Sequence, residues 1–251
     1  MGEQSKIEWT EATWNPVTGC SKLSRGCLNC YAERMAKRFA GRYGYPKDNP
    51  FQVTLHPDRL PKPLRWTKPH MIFVCSMGDL FHENVPEYYI FEILNVIREC
   101  PSHTFQILTK REERMLEISK KIGHWPENVW IGVTVEGKEC MRRIDCLREV
   151  NASVRFMSCE PLLENLGKIR LEGLNWVIVG GESGFKARSM SPEWATSIRD
   201  QCLRENIPYF FKQWGGRNKK KAGRSLEGRE WNQMPTLSAS KAINRQLVLN
   251  P

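Results

Sequence analysis

The sequence has no long apolar run. No window of its 251 residues approaches the ~18 uninterrupted apolar residues that a bilayer crossing needs, so no membrane partner is expected. The stretch from Met1 to Glu11 is polar and lacks the basic start and apolar core of a secretory signal, and the chain is read as cytoplasmic. Nothing in it resembles a disulfide framework. Its nine cysteines are an odd number, in a chain far longer than the small secreted domains that depend on such bonds. Internal repeats and low-complexity tracts are also lacking, which excludes a solenoid. Histidine is scarce, with five in all, and none follows a cysteine pair at finger-like spacing.

What is present is a soluble composition with an excess of positive charge. Hydrophobic residues make up 40% of the chain, enough for a sizeable core. Lysine plus arginine number 38 against 28 acidic residues, for a formal charge of +10. Phosphate-bearing partners suit such a surplus, through attraction and counterion release, although solubility alone also accounts for charge of this size.

Apolar runs alternate with helical patterns along the chain. Strands are expected at 12–17, 52–55, 71–75, 104–108, 129–135, 153–157, 176–179 and 209–211. Most are continuous rather than alternating, as in parallel strands covered on both faces. Helices are expected at 30–40, 86–98, 113–122, 138–150 and 192–205. Strand–helix repetition implies βαβ units. The expected fold is α/β, a (β/α)8 TIM-like barrel, complete or partial, with a doubly wound open sheet as the runner-up. Residues 1–237 are read as one barrel domain carrying an N-terminal three-cysteine loop, and residues 238–251 as a tail lacking fixed structure. Six prolines between Pro46 and Pro69 point to a long irregular connection.

Three of the nine cysteines fall within eleven residues. Cys20, Cys27 and Cys30 are spaced C-x6-C-x2-C, after the first expected strand and running into the first expected helix. In a barrel that position is the C-terminal rim, where active sites sit. Thiolates are iron–sulfur ligands, and three of them leave one iron of a four-iron cluster open. Zinc is the rival, with a fourth ligand drawn from one of the five histidines by folding. The other six cysteines read as small buried hydrophobes.

With these residues in hand, the chain resembles the radical S-adenosylmethionine superfamily. The stretches IEWTEATWNPVTGC, CLNCYAERMAKR, FVCSMGDLF, ILTKR, GVTVE, SCEPLL, GGESG and FFKQWGG resemble, more closely, a phage-associated three-Cys-motif family, over nearly the whole chain. The resemblance implies a [4Fe-4S] cluster on the three cysteines, S-adenosylmethionine on the open iron, and a 5′-deoxyadenosyl radical. It also implies a reductant supplying one electron, and it leaves room for a partner protein that delivers the substrate. The superfamily's commoner spacing is C-x3-C-x2-C, and its aromatic before the last cysteine is here Asn29. The resemblance therefore suggests Tyr31 for stacking on adenine. Ser76 and Asp79 match the stretch that holds the cofactor's amino group, which usually follows the second strand.

Further polar groups end the other strands. Lys110 with Arg111, Glu160, Glu182 and Lys212 are candidates for contacts to cofactor or substrate. The plainer readings are helix caps for Asp79 and Glu182, a turn at Glu160 and solvated charge at Lys110. No catalytic residue is assigned. The leading expectation is a radical enzyme acting on a nucleic-acid component or nucleotide. The alternative is a zinc- or cluster-stabilised nucleic-acid-binding protein, or a phage accessory scaffold, without catalysis.

Overall fold

A computed structural model describes residues 5–236. The expected tail at 238–251 lies outside the described residues. In chain order the elements are β1 (Ala12–Trp14), β2 (Val17–Thr18), α1 (Tyr31–Arg38), β3 (Thr54–Leu55), β4 (Met71–Val74), α2 (Glu87–Arg98), β5 (Thr104–Thr109), α3 (Glu112–Ile122), β6 (Val129–Thr134), α4 (Arg142–Arg148), β7 (Val154–Cys159), β8 (Trp176–Gly180), α5 (Pro192–Arg204) and β9 (Tyr209–Gln213).

Seven strands form one parallel sheet in the order β1-β4-β5-β6-β7-β8-β9. The order never reverses, so the chain winds in one direction, as in a barrel and unlike a doubly wound sheet. Among the described residues β1 and β9 do not pair, and the barrel is partial. The free edge of β9 is met by the chain at 231–233, with Phe211 N–H donating to Trp231 O at 2.9 Å and Gln233 N–H to Tyr209 O at 3.2 Å. Such cover removes an exposed ladder edge.

One expected strand is displaced. Thr54–Leu55 pairs antiparallel with Val17–Thr18 in a separate two-stranded ribbon and takes no part in the barrel sheet. Two residues among prolines are too short to cross it, and the backbone of β2 offers them a local partner. The second strand of the barrel is therefore Met71–Val74. Ser76 to Asp79 follows that second strand, where the resemblance expects the amino-group stretch.

The two faces of the sheet are filled differently. Ile72, Phe105, Ile107, Ile131, Val133 and Val179 pack with Ile90, Ile93, Met115, Ile118, Leu147 and Ile198 of the helices in one core. Helix α2 shows why: its buried Tyr89, Ile90, Ile93, Leu94 and Ile97 recur at helical spacing on one face. The alternate strand residues form a second cluster of Trp9, Trp130, Val154, Phe156, Trp176, Ile178 and Phe210, to which no helix contributes. That concave face is filled by rings at edge-on angles, Trp130 to Trp176 at 5.8 Å and Trp176 to Phe210 at 6.0 Å. Trp9 enters from the N-terminal segment and meets Trp176 at 6.2 Å.

Gly132 makes room for this packing. A Cβ built there would stand 2.5 Å from the ring of Phe156, closer than carbon atoms approach. Gly132→Ala is therefore expected to destabilise the fold by about 1–3 kcal/mol through overpacking, read from urea unfolding. A midpoint equal to the wild type would show that the ring has space to move. Combining it with Phe156→Leu should recover part of the loss.

Candidate functional site

The cysteine loop is seated by backbone before any side chain acts. Gly19 has φ +83°, and a Cβ there would run into the carbonyl of Gln52, so both handedness and space call for glycine. Its N–H donates to Met77 O at 2.9 Å, and it bridges Gly78 in the segment that follows the barrel's second strand. Cys20 N–H donates to Phe51 O at 3.0 Å. Cys27 closes a 3-10 turn at Arg25–Cys27, and Cys30 stands at the N-cap of α1. All three cysteines are half-buried, and Cys20 lies within electrostatic reach of the other two.

A buried carboxylate holds the loop to the sheet. Glu136 follows β6 and has no exposed surface. Its Oε1 accepts a short hydrogen bond from Ser24 Oγ, and its Oε2 takes Arg143 Nη1 at 2.6 Å. Lys110 Nζ lies 3.7 Å from Oε1. Burial alone would raise this carboxyl, but Lys110, Arg143 and Ser24 outweigh it and hold Glu136 below the usual carboxylate range. Gly26 fits directly against Glu136, where a Cβ would collide with the carboxylate.

Arg111 forms a second tie. Its Nη1 lies 3.5 Å from Cys20 Sγ, its Nη2 donates to Ser21 Oγ at 2.8 Å, and its Nε to Glu83 at 2.9 Å. Asp79, 3.6 Å from the same guanidinium, accepts from Thr109 Oγ1 at 2.7 Å, Phe81 N–H at 3.0 Å and Lys110 N–H at 3.2 Å. Its carboxylate thus braces the ends of β4 and β5. Burial pushes the Cys20 thiol up to about 12, with Asp79 adding and Arg111 opposing. Burial also acts against Cys27, but backbone hydrogen bonds at Leu23 and Ser24 and the charge of Lys110 bring it below the ordinary thiol value. Lys110 and Arg111 therefore flank the thiols from two sides and offset the charge of thiolates.

A third tie reaches across the rim. Glu182, buried after β8, accepts from Asn29 Nδ2 at 2.9 Å, from Arg188 Nε at 2.9 Å and from Arg188 Nη2 at 2.5 Å. Arg188 also donates to Arg25 O at 3.1 Å. Asn29, which replaces the usual aromatic of the resembled motif, is thus the clasp between the cysteine loop and the far side of the barrel.

Above the aromatic plug the concave face turns polar. Glu160 Oε1 pairs with Lys212 Nζ at 2.8 Å, and its Oε2 accepts from Ser158 Oγ at 3.2 Å and Trp9 Nε1 at 3.3 Å. Gly180 leaves space for this carboxylate, since a Cβ there would stand 2.9 Å from Oε1.

Of the sequence candidates, the structure brings Cys20, Cys27, Cys30, Asp79, Lys110 and Glu182 into one connected network at the rim. Glu160 and Lys212 form a pair on the concave face. Ser76 donates to Asn15 Oδ1 at 3.2 Å, beside β1. Tyr31 stands 60% exposed at the start of α1. Sequence reasoning did not single out Ser24, Arg143 or Arg188, whose partners lie far along the chain.

The donor set fits an iron–sulfur cluster. Among the described residues no three His, Cys, Asp or Glu side chains converge on a point that one metal ion would fill. Three half-buried thiols on one loop, with Arg111 Nη1 3.5 Å from Cys20 Sγ, are the donor type that iron–sulfur clusters take.

The sequence model of a family described as protein of unknown function DUF5131 matches residues 4–235. No curated protein matches the chain. Among solved structures, a Cys-to-Ser mutant of spore photoproduct lyase is similar at 11% identity and a TM-score of 0.49, over 81% of this chain and 64% of that one. Spore photoproduct lyase complexed with dinucleoside spore photoproduct is similar at 9% identity and a TM-score of 0.40, over 75% and 59%. The chain thus spans less than two thirds of the length of these structures.

Removing the Glu136 carboxylate takes from the buried Arg143 one of its two carboxylates, leaving Glu112 at 3.3 Å and the carbonyl of Thr134 at 2.7 Å. Glu136→Ala is expected to cost about 2–3 kcal/mol in chemical unfolding, the loss of charge-assisted hydrogen bonds to Ser24 and Arg143, and a loss under about 1 kcal/mol would show that the loop is held some other way. Glu182 gives a pH signature. Burial would raise its carboxyl, but Arg188 and Asn29 hold it below the ordinary value. Its contribution is therefore complete above the ordinary carboxylate range and is lost as pH falls through the lowered native value. Glu182→Gln should be less stable than wild type at neutral pH, with the gap closing below about pH 4. A gap independent of pH would mean that the charge of Glu182 is irrelevant to the clasp.

Proposed function

The chain belongs to the DUF5131 family, and within it we propose that this protein is a radical S-adenosylmethionine enzyme whose [4Fe-4S] cluster is held by Cys20, Cys27 and Cys30. The observation that carries this reading is the placement of three half-buried thiols on one loop at the C-terminal rim of a partial β/α barrel, above a polar concave face. When bound, the cluster supplies one electron from an outside reductant to S-adenosylmethionine, giving methionine and a 5′-deoxyadenosyl radical.

The chain's own residues do the rest by position and exclusion. Glu136, Arg111 and Glu182 fix the loop from three directions, so the thiols are oriented before any ligand arrives. Lys110 lies beside Cys27, where its charge favours anionic ligands. Glu160 and Lys212 offer a carboxylate and an ammonium on the concave face, suited to the zwitterionic and hydroxyl groups of a cofactor or substrate. Trp9, Trp130, Phe156, Trp176 and Phe210 close the space below and keep water from entering there. The excess of positive charge favours a nucleic-acid component as substrate.

Protein purified without oxygen is expected to be brown and to hold about four irons per chain. The electron paramagnetic resonance signal of its reduced state should change on adding S-adenosylmethionine. Cys27→Ala should lose the chromophore and cofactor cleavage, whereas Cys100→Ala, which precedes β5 at the end of the barrel opposite the loop, should keep both. One zinc per chain with no chromophore, or cleavage that survives replacement of all three cysteines by alanine, would overturn the proposal.

A further inference from the structure

Most cations of the rim are already neutralised. Lys22 pairs with Glu33 at 3.2 Å, Arg25 with Glu139 at 2.8 Å and Glu164 at 2.5 Å, and Arg142 with Glu112 at 3.0 Å and Glu113 at 2.9 Å. One side of the rim differs. There Arg34, Arg38, Lys186 and Arg217 meet no carboxylate among the described residues, and they stand beside exposed rings. Phe185 is 72% exposed in the loop after β8, with the Arg217 guanidinium 4.7 Å from its ring centre. Tyr31 is 60% exposed at the start of α1.

The fold joins these groups into one surface. Tyr31, Arg34 and Arg38 recur at i, i+3 and i+7 and share a stripe of α1, whose opposite face buries Ala32 and Ala36. Arg34 Nη2 donates to Ser183 O at 2.9 Å, and Gly184 lies directly against the guanidinium. Ser183 in turn bridges Gly216, which places the Phe185 loop beside Arg217. The stripe begins next to Cys30, so whatever lies on it borders the thiol loop.

We infer that this surface binds an unpaired nucleic-acid strand, with bases stacking on Phe185 and Tyr31 and phosphates meeting Arg34, Arg38, Lys186 and Arg217. Charge of one sign interleaved with open ring faces is what a single strand requires. A duplex keeps its base faces stacked within itself and would leave both rings unused. The inference deepens the proposed function, resting on it for the chemistry the strand undergoes but not for binding.

Fluorescence anisotropy with a labelled oligonucleotide of about 12 nucleotides tests this on protein purified without oxygen. Single-stranded DNA, single-stranded RNA of the same sequence and the matching duplex are compared across a salt series. A single strand should bind more tightly than the duplex, and the tighter of DNA and RNA identifies the sugar. Phe185→Leu should weaken binding about tenfold, while Phe185→Tyr keeps it within about twofold of wild type. Arg217→Ala and Arg34→Ala should each flatten the salt slope by about 0.7. Equal affinity for duplex and strand, no detectable binding, or Leu and Tyr variants that behave alike would overturn the inference. Cofactor cleavage is read on the same preparation without oligonucleotide. Strand binding without cleavage would sink the radical reading alone, and cleavage without strand binding would sink this surface alone.

Discussion

A carboxylate without solvent must be compensated where it stands, and Glu136 is such a group. It has no exposed surface, yet its pKa lies below the usual range because Lys110, Arg143 and Ser24 surround it. Those three partners come from the end of β5, from α4 and from the cysteine loop. The need to balance one buried charge therefore joins the loop, the sheet and a helix at a single point. Packing alone would not fix a loop of this composition, since Leu23 and Leu28 are 53% and 61% exposed and contribute little burial. Electrostatics and hydrogen bonds replace a hydrophobic anchor, with the desolvation cost met by several partners rather than one.

The same logic recurs around the rim. Asp79 is buried and fully engaged by Thr109, Phe81, Lys110 and Arg111. Glu182 is engaged by Asn29 and Arg188. These two carboxylates hold the thiol loop in place, whereas Glu160 and Lys212 look onto the concave face from β7 and β9. Holding and contacting are thus divided between different acids of the rim, and the division follows the alternation of side chains along each strand.

The barrel strands were legible because parallel strands buried on both faces read as continuous apolar runs. Seven of eight expected runs lie in the sheet, with ends shifted by a few residues at most. Thr54–Leu55 misled because its pattern is indistinguishable over so short a stretch from a barrel strand, and its pairing with β2 depends on the intervening chain folding back. The partial form of the barrel followed from that loss. The cysteine spacing was legible as a ligand set. Its supports were not, because Asn29 and Glu182 are 153 residues apart and Ser24 and Glu136 are 112 apart. No local period marks such partners. The exposure of Tyr31 was likewise invisible, since α1 places it opposite the alanines that face inward.

In a closed barrel the number of strands and their stagger dictate the radius. Among the described residues this sheet does not close, so no such rule sets its curvature. The width of the mouth is determined instead by the rings wedged into the concave face, in which Gly132 yields the volume that Phe156 takes. The plug is a mechanical spacer as well as a floor: altering its bulk should spread or narrow strands whose far ends carry Lys110, Glu160 and Lys212, and so change the span of the mouth without touching any residue in it.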